Sequence, residues 1–409
     1  MLALSSPFSD GAVICAGAGA GKTKLLIERV AALMKTGVRA DRIAVVAFTR
    51  KSAAEIVTRV KLKLGTKATL PVCSTIDSLA YSTLTAAGKA PLLATPEQEE
   101  QALQVVRELL PPDMAELADK ELLLIISRAR EEFDSHSTAG MLGSAYVEQL
   151  EAMGVDDFTS LLTQACAVLR TRFDYVIVDE AQDLSQLQLK FLRTVASSAV
   201  FWFIGDPDQA IYAFRGAHAG MMEHLRGLVP QLYVLTVNYR SARLIVTHAN
   251  NVIQANPRPF PVDWKSARTT PGCVRVAIAH DAAQELNETT AWLRECPGTR
   301  CVLGRTQALV APYKALGLLA LTVHEAKGLE WPEVKVLGCE EGLFPHPLSG
   351  AQEERRLFYV AMTRAKDLLE LSYCEYRSEA RLKKRKPSRF LFETQALNGA
   401  MPSVAAALA

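Results

Sequence analysis

No two cysteines in this chain are spaced Cys-x-x-Cys, although eight are present. Cys296 and Cys301 are the closest two, with no second pair and no neighbouring histidine. A zinc site is therefore not expected, and the thiols read as free thiols of a reducing compartment. No uninterrupted apolar run is long enough to span a bilayer. The start, Met1-Leu-Ala-Leu-Ser-Ser-Pro7, lacks a basic stretch followed by an apolar one, which argues against a secretory signal. A cytoplasmic protein with no membrane partner is expected. Charge of either sign is in short surplus, with 46 Lys and Arg against 44 Asp and Glu for a net +2. Nucleic-acid binding through overall basicity is excluded, so any groove for DNA or RNA has to come from local arrangement. Internal repeats and low-complexity tracts are also missing.

What remains is an ordinary globular composition, 49% hydrophobic and 22% charged over 409 residues, enough for two or three cores. The first half alternates short apolar runs with helical periodicity. Strands are expected at Ala12–Cys15, Ile43–Phe48, Tyr175–Val178 and Val200–Ile204, with helices at Lys22–Lys35 and from about Lys51 to Leu64. Continuous apolar strands between helices imply a parallel sheet covered on both faces. From about Ala80 to Leu150 the β signal vanishes, and helices are expected at Glu97–Leu110 and Glu116–Phe133. A second α/β unit begins near Leu235, with strands at Val274–Ile278, Arg300–Leu303, Leu319–Val323, Val334–Leu337 and Leu368–Ser372. The proline-rich stretch 256–263 is a loop within it. The division expected is residues 1–78 and 151–234 for the first unit, 79–150 for a helical insertion, 235–376 for the second unit and 377–409 for a basic segment and tail. The cluster Arg381-Leu-Lys-Lys-Arg-Lys-Pro-Ser-Arg389 reads equally as a phosphate contact or as a solvated face.

The chemistry starts at Ala16-Gly-Ala-Gly-Ala-Gly-Lys-Thr23, between an expected strand and an expected helix. A phosphate loop needs glycines because backbone N–H groups must converge on an anion without interference from Cβ. Gly17, Gly19 and Gly21 supply that, with Ala16, Ala18 and Ala20 between them and Ala16 standing where the loop's first glycine usually is. The helix from Lys22 adds its positive end. Lys22 would reach the outer phosphates, and the Thr23 hydroxyl would ligate Mg²⁺. Downstream, Val178-Asp-Glu-Ala-Gln-Asp183 places Asp179 at a strand end to hold the metal, with Glu180 beside it to deprotonate the attacking water. The γ-phosphate also needs cations, and spacing alone does not choose among the arginines.

The order of segments resembles a superfamily 1 helicase of the UvrD/Rep-like group, from about Ala12 to Leu391. The segments that carry the resemblance are Ala16–Thr23, Phe48–Glu55, Ser74–Ser78, Val178–Asp183, Gly205–Ala217, Val237–Ser241, Leu303–Gln307, Thr322–Glu330, residues 341–346 and Leu357–Lys366. It implies two RecA-like P-loop NTPase domains with a helical insertion in the first, hence an α/β fold. It implies a DNA 3′–5′ helicase using ATP and Mg²⁺, acting on single-stranded DNA and duplex junctions; protein partners stay open. Gln209 would sense the γ-phosphate, and Arg240 and Arg364 would be arginine fingers. Tyr239 would stack on adenine, Lys24 would lie near the base, and Glu330 would approach the ribose or phosphates. Phe48, Thr49, Thr75, Tyr212, Phe214, Arg215, Arg305, Thr322 and His324 would contact DNA, the aromatic rings by stacking and the basic groups along the backbone.

Three departures accompany the resemblance. The family's upstream glutamine-centred adenine motif has no expected counterpart, because Lys22 lies so near the start. Only Ala308–Ala320 separate the Arg305 segment from Thr322, so the regulatory 2B subdomain is not expected there. Asp77 and Phe214 stand where His and Trp are common. The residues leave open a helicase, a single-strand translocase that displaces proteins, and a nucleotide-dependent DNA-binding switch.

Overall fold

The computed structural model describes residues 10–65, 68–168, 172–212, 220–347, 349–377 and 384–396. These fall into two compact units. The first takes the described residues of Met1–Cys15, Lys22–Asp206 and Tyr212–Val234. The second takes Ala16–Gly21, Pro207–Ile211 and those from Leu235 onward.

In the first unit the strands are β1 (Ala12–Ala16), β2 (Ile43–Ala47), β3 (Val72–Thr75), β4 (Tyr175–Val178), β5 (Val200–Gly205) and β6 (Gln231–Leu235). They form one sheet in the order β3-β2-β4-β5-β1-β6. The pairs β2–β3, β2–β4, β4–β5 and β5–β1 are parallel. Every residue of β1 and β2 is buried, as all-apolar strands sandwiched by helices must be. Two strands were not expected. Val72-Cys-Ser-Thr75 is half polar and only partly buried, and β6 is a half-buried edge strand, so neither carries a continuous apolar run. With Cys15 opposite Gly205 and Val178 opposite Phe203, β1 and β4 end at the same edge of the sheet. In an open parallel sheet, that carboxyl edge is where ligands bind.

Helix α1 (Lys22–Lys35) follows the glycine loop and α2 (Arg50–Leu64) follows β2. Between β3 and β4 the described residues form the helices α3 (Ile76–Ala86), α4 (Pro96–Arg107), α5 (Asp119–Glu131), α6 (Thr138–Ala152) and α7 (Phe158–Cys166), with no further named strand among them. Helices α4, α5 and α6 share a core of their own, built from Leu103, Val106, Leu122, Ile126, Leu142, Tyr146 and Leu150. The limits differ slightly from expectation. Thr95 and Gln98 close a capping box that starts α4 at Pro96, and Phe133, at φ 59°, turns the chain away just beyond α5. Helices α8 (Gln186–Val195) and α9 (Met221–Leu228) complete the unit.

The second unit has a two-stranded parallel ladder, β7 (Val237–Asn238) with β8 (Lys265–Ser266). Its main sheet contains β9 (Cys273–Asp281), β10 (Arg300–Gly304), β11 (Ala320–Thr322), β12 (Trp331–Val336) and β13 (Ala365–Tyr376). The order is β11-β10-β12-β13-β9, parallel throughout. Helices α10 (Arg243–Ile253), α11 (Ala282–Glu295), α12 (Gln307–Ala315), α13 (Ala351–Met362) and α14 (Arg389–Glu393) surround it. Between β10 and β11 there is α12 and no inserted domain. Of the basic cluster, residues 381–383 lie outside the described residues. Lys384 and Arg389 pair with Glu375 and Glu341, and Arg389 opens α14, whose Phe390 is buried against Phe358 and Phe344. This end of the cluster is therefore anchored to the second unit by ion pairs and by Phe390, while the Lys384 and Arg389 side chains stay exposed. Among the described residues no helix is long and apolar enough to cross a membrane.

Candidate nucleotide and nucleic-acid site

In the first unit the site is built on the carboxyl edge of the sheet. Lys22, the first residue of α1, extends to Glu180, 3.4 Å between Nζ and the carboxylate. Thr23 and Lys24 share that first turn, Thr23 half-buried and Lys24 exposed. Asp179 and Glu180 follow β4 directly. Glu180 adopts a left-handed backbone (φ 52°, ψ 42°), a conformation that costs a side-chain-bearing residue about 1–3 kcal/mol and persists where surrounding contacts impose it. Those contacts are on hand: the Glu180 N–H donates to the Asp179 carboxylate at 3.1 Å. The Gln182 side-chain amide donates to the Glu180 carboxylate at 2.7 Å, and its side-chain oxygen accepts from the Asp206 N–H at 2.9 Å. Gln182 thus ties the end of β4 to the end of β5. Burial, and then the neighbouring Glu180, pushes the Asp179 carboxyl up to about 7 against the pull of Lys22. A carboxylate held in that state gains strongly from a cation.

The nucleic-acid candidates of this unit lie along the same edge. Thr49 caps α2 by accepting from the Ser52 N–H at 3.1 Å, and Thr75 caps α3 by accepting from the Ser78 N–H at 3.3 Å. Phe48 and Tyr212 stack on each other, 5.2 Å between centroids at 15°. They form one aromatic pair rather than two separate platforms. Phe214 and Arg215 lie outside the described residues.

The glycine loop Ala16–Gly21 clusters with the second unit. The Ala18 carbonyl accepts from the Asn238 amide at 2.7 Å, and the Gly19 carbonyl from the Tyr239 N–H at 2.9 Å. A Cβ on Gly17 would sit 2.6 Å from the Trp264 indole. One on Gly19, where φ is 68°, would sit 2.5 Å from the Arg240 Cβ. The glycines here allow close approach of Trp264 and Arg240 to the loop. Tyr239 is 64% exposed, free to offer a ring face.

Arg240 donates to Glu330 and, at 3.2 Å, to the Thr363 carbonyl. Glu330 also holds Lys366 at 2.7 Å. Burial works to raise the Glu330 carboxyl, but Arg240 and Lys366 outweigh it and hold the group below its ordinary value. Arg364 is buried, and its Nη2 donates to the Gln209 side-chain oxygen at 3.0 Å. Its Nε and Nη1 donate to the Val360 and Leu329 carbonyls, each at 3.1 Å, and Nη2 also donates to the Thr363 hydroxyl at 3.3 Å. The Gln209 carbonyl accepts from Lys327 Nζ at 2.9 Å. Arg240, Glu330, Gln209 and Arg364 are therefore brought close through Thr363 and Leu329.

Arg305 is different. It forks onto Glu354 at 2.9 and 2.8 Å, and the Glu354 side chain is 1% exposed. Its guanidinium is committed to a buried carboxylate that also accepts from the His346 N–H at 2.8 Å. Thr322 is buried and starts a turn with Glu325. His324 lies in that turn, half-buried.

Asp179 and Thr23 offer hard oxygens of the kind Mg²⁺ takes, with water and phosphate completing its shell. Among the described residues no three His, Cys, Asp or Glu side chains converge. A metal held jointly with a nucleotide fits these residues; a metal held by protein alone does not. Sequence reasoning passed over Gln182, Asn238, Lys327 and Lys366, all of which lie inside the quoted segments. It also passed over Asp208, inside the quoted segment Gly205–Ala217, and Arg258 and Trp264, whose only signal was the proline-rich loop.

Comparison with known proteins adds the following. Residues 3–230 match the UvrD/REP helicase N-terminal domain, and residues 318–376 match the UvrD-like helicase C-terminal domain. A probable DNA helicase of Mycoplasma pneumoniae is 28% identical over 430 residues, covering 88% of this chain and 80% of that protein. The ATP-dependent DNA helicase UvrD1 of Mycobacterium tuberculosis is 32% identical over 60% of this chain and 37% of its own length. The ATP-dependent DNA helicase Rep of Escherichia coli is 31% identical over 61% of this chain and 42% of its own length. The chain thus spans about two fifths of the latter two relatives.

Proposed function

Because the chain belongs to the UvrD/REP helicase family, we propose that it is an ATP-dependent DNA motor that moves 3′ to 5′ on single-stranded DNA and unwinds duplex at junctions. The observation that carries this reading is Glu180. Its carboxylate is held between Lys22 and Gln182, on a strained backbone, next to a carboxyl that burial has pushed up. A protein that only binds nucleotide has no need of a carboxylate so placed.

Mg²⁺, when bound, neutralises phosphate charge and orients the nucleotide. Lys22 holds the outer phosphates, and the N–H groups of the glycine loop and of the first turn of α1 surround the rest. Glu180 takes the proton of the attacking water, with Gln182 keeping its carboxylate in place. Gln209 reports the γ-phosphate. Arg364, already bonded to Gln209, and Arg240, on exchanging Glu330 for phosphate, meet the charge that builds up in the transition state. Lys366 stays on Glu330, which keeps that carboxylate neutralised when Arg240 leaves. Tyr239 offers its exposed ring to adenine. Thr49, Thr75, Phe48, Tyr212, Phe214, Arg215, Arg305, Thr322 and His324 follow the strand, with Arg305 acting through the loop it anchors.

A second reading, a single-strand translocase that displaces proteins and unwinds little, is favoured by the short connection of α12 alone between β10 and β11. The test is steady-state ATP hydrolysis with and without single-stranded DNA, beside Glu180→Gln, followed by unwinding of a 3′-tailed duplex. DNA-stimulated hydrolysis lost in Glu180→Gln, together with unwinding, is the expected result. Stimulation without unwinding selects the translocase. Hydrolysis indifferent to DNA refutes the motor and selects a nucleotide-dependent switch.

A further inference from the structure

The proline-rich loop 256–263 has no part in the reading above, yet it carries a buried charge. The Arg258 side chain is 6% exposed and that of its partner Asp208 4%. Arg258 Nε lies 3.1 and 3.0 Å from the two Asp208 carboxylate oxygens, Nη2 donates to the same group, and Nη1 donates to the Val262 carbonyl at 2.9 Å. The loop is itself anchored. Asn256 accepts from Arg355 at 2.6 Å and donates to the Gln352 carbonyl at 2.9 Å. Just past the loop, the Trp264 carbonyl accepts from Asn250 at 2.9 Å while its indole packs on Gly17. Pro257, Pro259 and Pro261 limit the backbone further.

Asp208 lies in the single turn Pro207–Gln209. Its neighbour Gln209 receives Arg364 at its side chain and Lys327 at its carbonyl. Arg258 therefore closes a three-point grip on a turn of three residues, and its planar fork sets orientation as well as distance. A buried ion pair is a poor source of net stability, because desolvating two charges offsets their attraction. What such a pair supplies well is a defined geometry.

We propose that Arg258 is a positioning residue for Gln209. From the proline-rich loop it holds Asp208 and so sets the angle at which Gln209 meets Arg364 and the γ-phosphate. The proposal rests on the reading of Gln209 as the γ-phosphate sensor.

Two variants test it. In Arg258→Lys, a point charge replaces the fork. In Arg258→Met with Asp208→Leu, both buried charges go, so neither is left unpaired and folding is preserved. Melting temperature, kcat and KM for ATP are measured with saturating single-stranded DNA, beside Gln209→Ala. The expected result is a double variant that melts near the parent and keeps its KM but loses kcat on the order of 10- to 100-fold, the scale of a small misplacement. Arg258→Lys also slows the parent but adds nothing in the Gln209→Ala background, because the two residues act through one route. Full kcat in the folded double variant overturns the proposal, and so do losses from Arg258→Lys and Gln209→Ala that multiply. Full turnover in Gln209→Ala alone overturns the underlying reading of Gln209 and is told apart by that single variant.

Discussion

Glu131, at the end of α5, makes no ion pair among the described residues. Arg130 beside it is committed to Asp157, at 2.6 and 3.1 Å, and to Ser160 at 2.8 Å. Burial pushes the Glu131 carboxyl from 4.5 to about 7; Asp77 and Asp157 add to the rise, while Ser185 and Arg130 oppose it. The folded state thus binds this proton more tightly than the unfolded chain. Below about pH 4.5 both states are protonated and the site costs nothing. As pH rises toward 7 the unfolded chain ionises freely while the folded one resists, so stability falls across that window and stays lower above it. At about 1.4 kcal/mol for each tenfold change in proton affinity, the ceiling is roughly 3 kcal/mol. Solvent reaching the half-buried carboxyl brings the expectation to about 1–3 kcal/mol. Glu131→Gln keeps the shape and removes the titration. Calorimetric melting of both proteins between pH 4.5 and 8.5 should show the variant gaining a few degrees at pH 8, the gain shrinking to nothing near pH 4.5. A gain independent of pH, or one larger in acid, refutes the reasoning.

Gly17→Ala would drive a methyl group to within 2.6 Å of the buried Trp264 indole. Overpacking of this kind costs about 1–3 kcal/mol, and the strained loop should raise the KM for ATP; Trp264→Leu in the same chain should return part of the loss. Arg305→Ala leaves Glu354 buried and unpaired, so about 3–5 kcal/mol of stability should be lost. The fall in melting temperature should appear with or without DNA, and an unchanged melting temperature would contradict the assignment of Arg305 to Glu354. Tyr239→Leu touches a ring that is 64% exposed. Stability should stay within about 0.5 kcal/mol while the KM for ATP rises severalfold, and a KM equal to the parent's would remove Tyr239 from adenine recognition.

The sequence by itself determined the two parallel sheets, because buried parallel strands must be continuously apolar and their interruptions are visible. It also marked the candidate hydrolytic residues. Lys22, Asp179 and Glu180 follow apolar strands at a helix start or strand end, where local chain geometry settles position. Strands β3 and β6 escaped because half-buried edges carry no continuous pattern. Only tertiary structure decided what each charged group faces. Nothing local tells that Arg305 is spent on Glu354, forty-nine residues away, that Phe48 and Tyr212 stack on each other, or that Arg258 in a proline-rich loop grips Asp208 beside Gln209. Partners far apart in sequence are chosen by how sheets and loops pack. Burial then sets the strength of each charge, and for Asp179 and Glu131 it also sets the protonation.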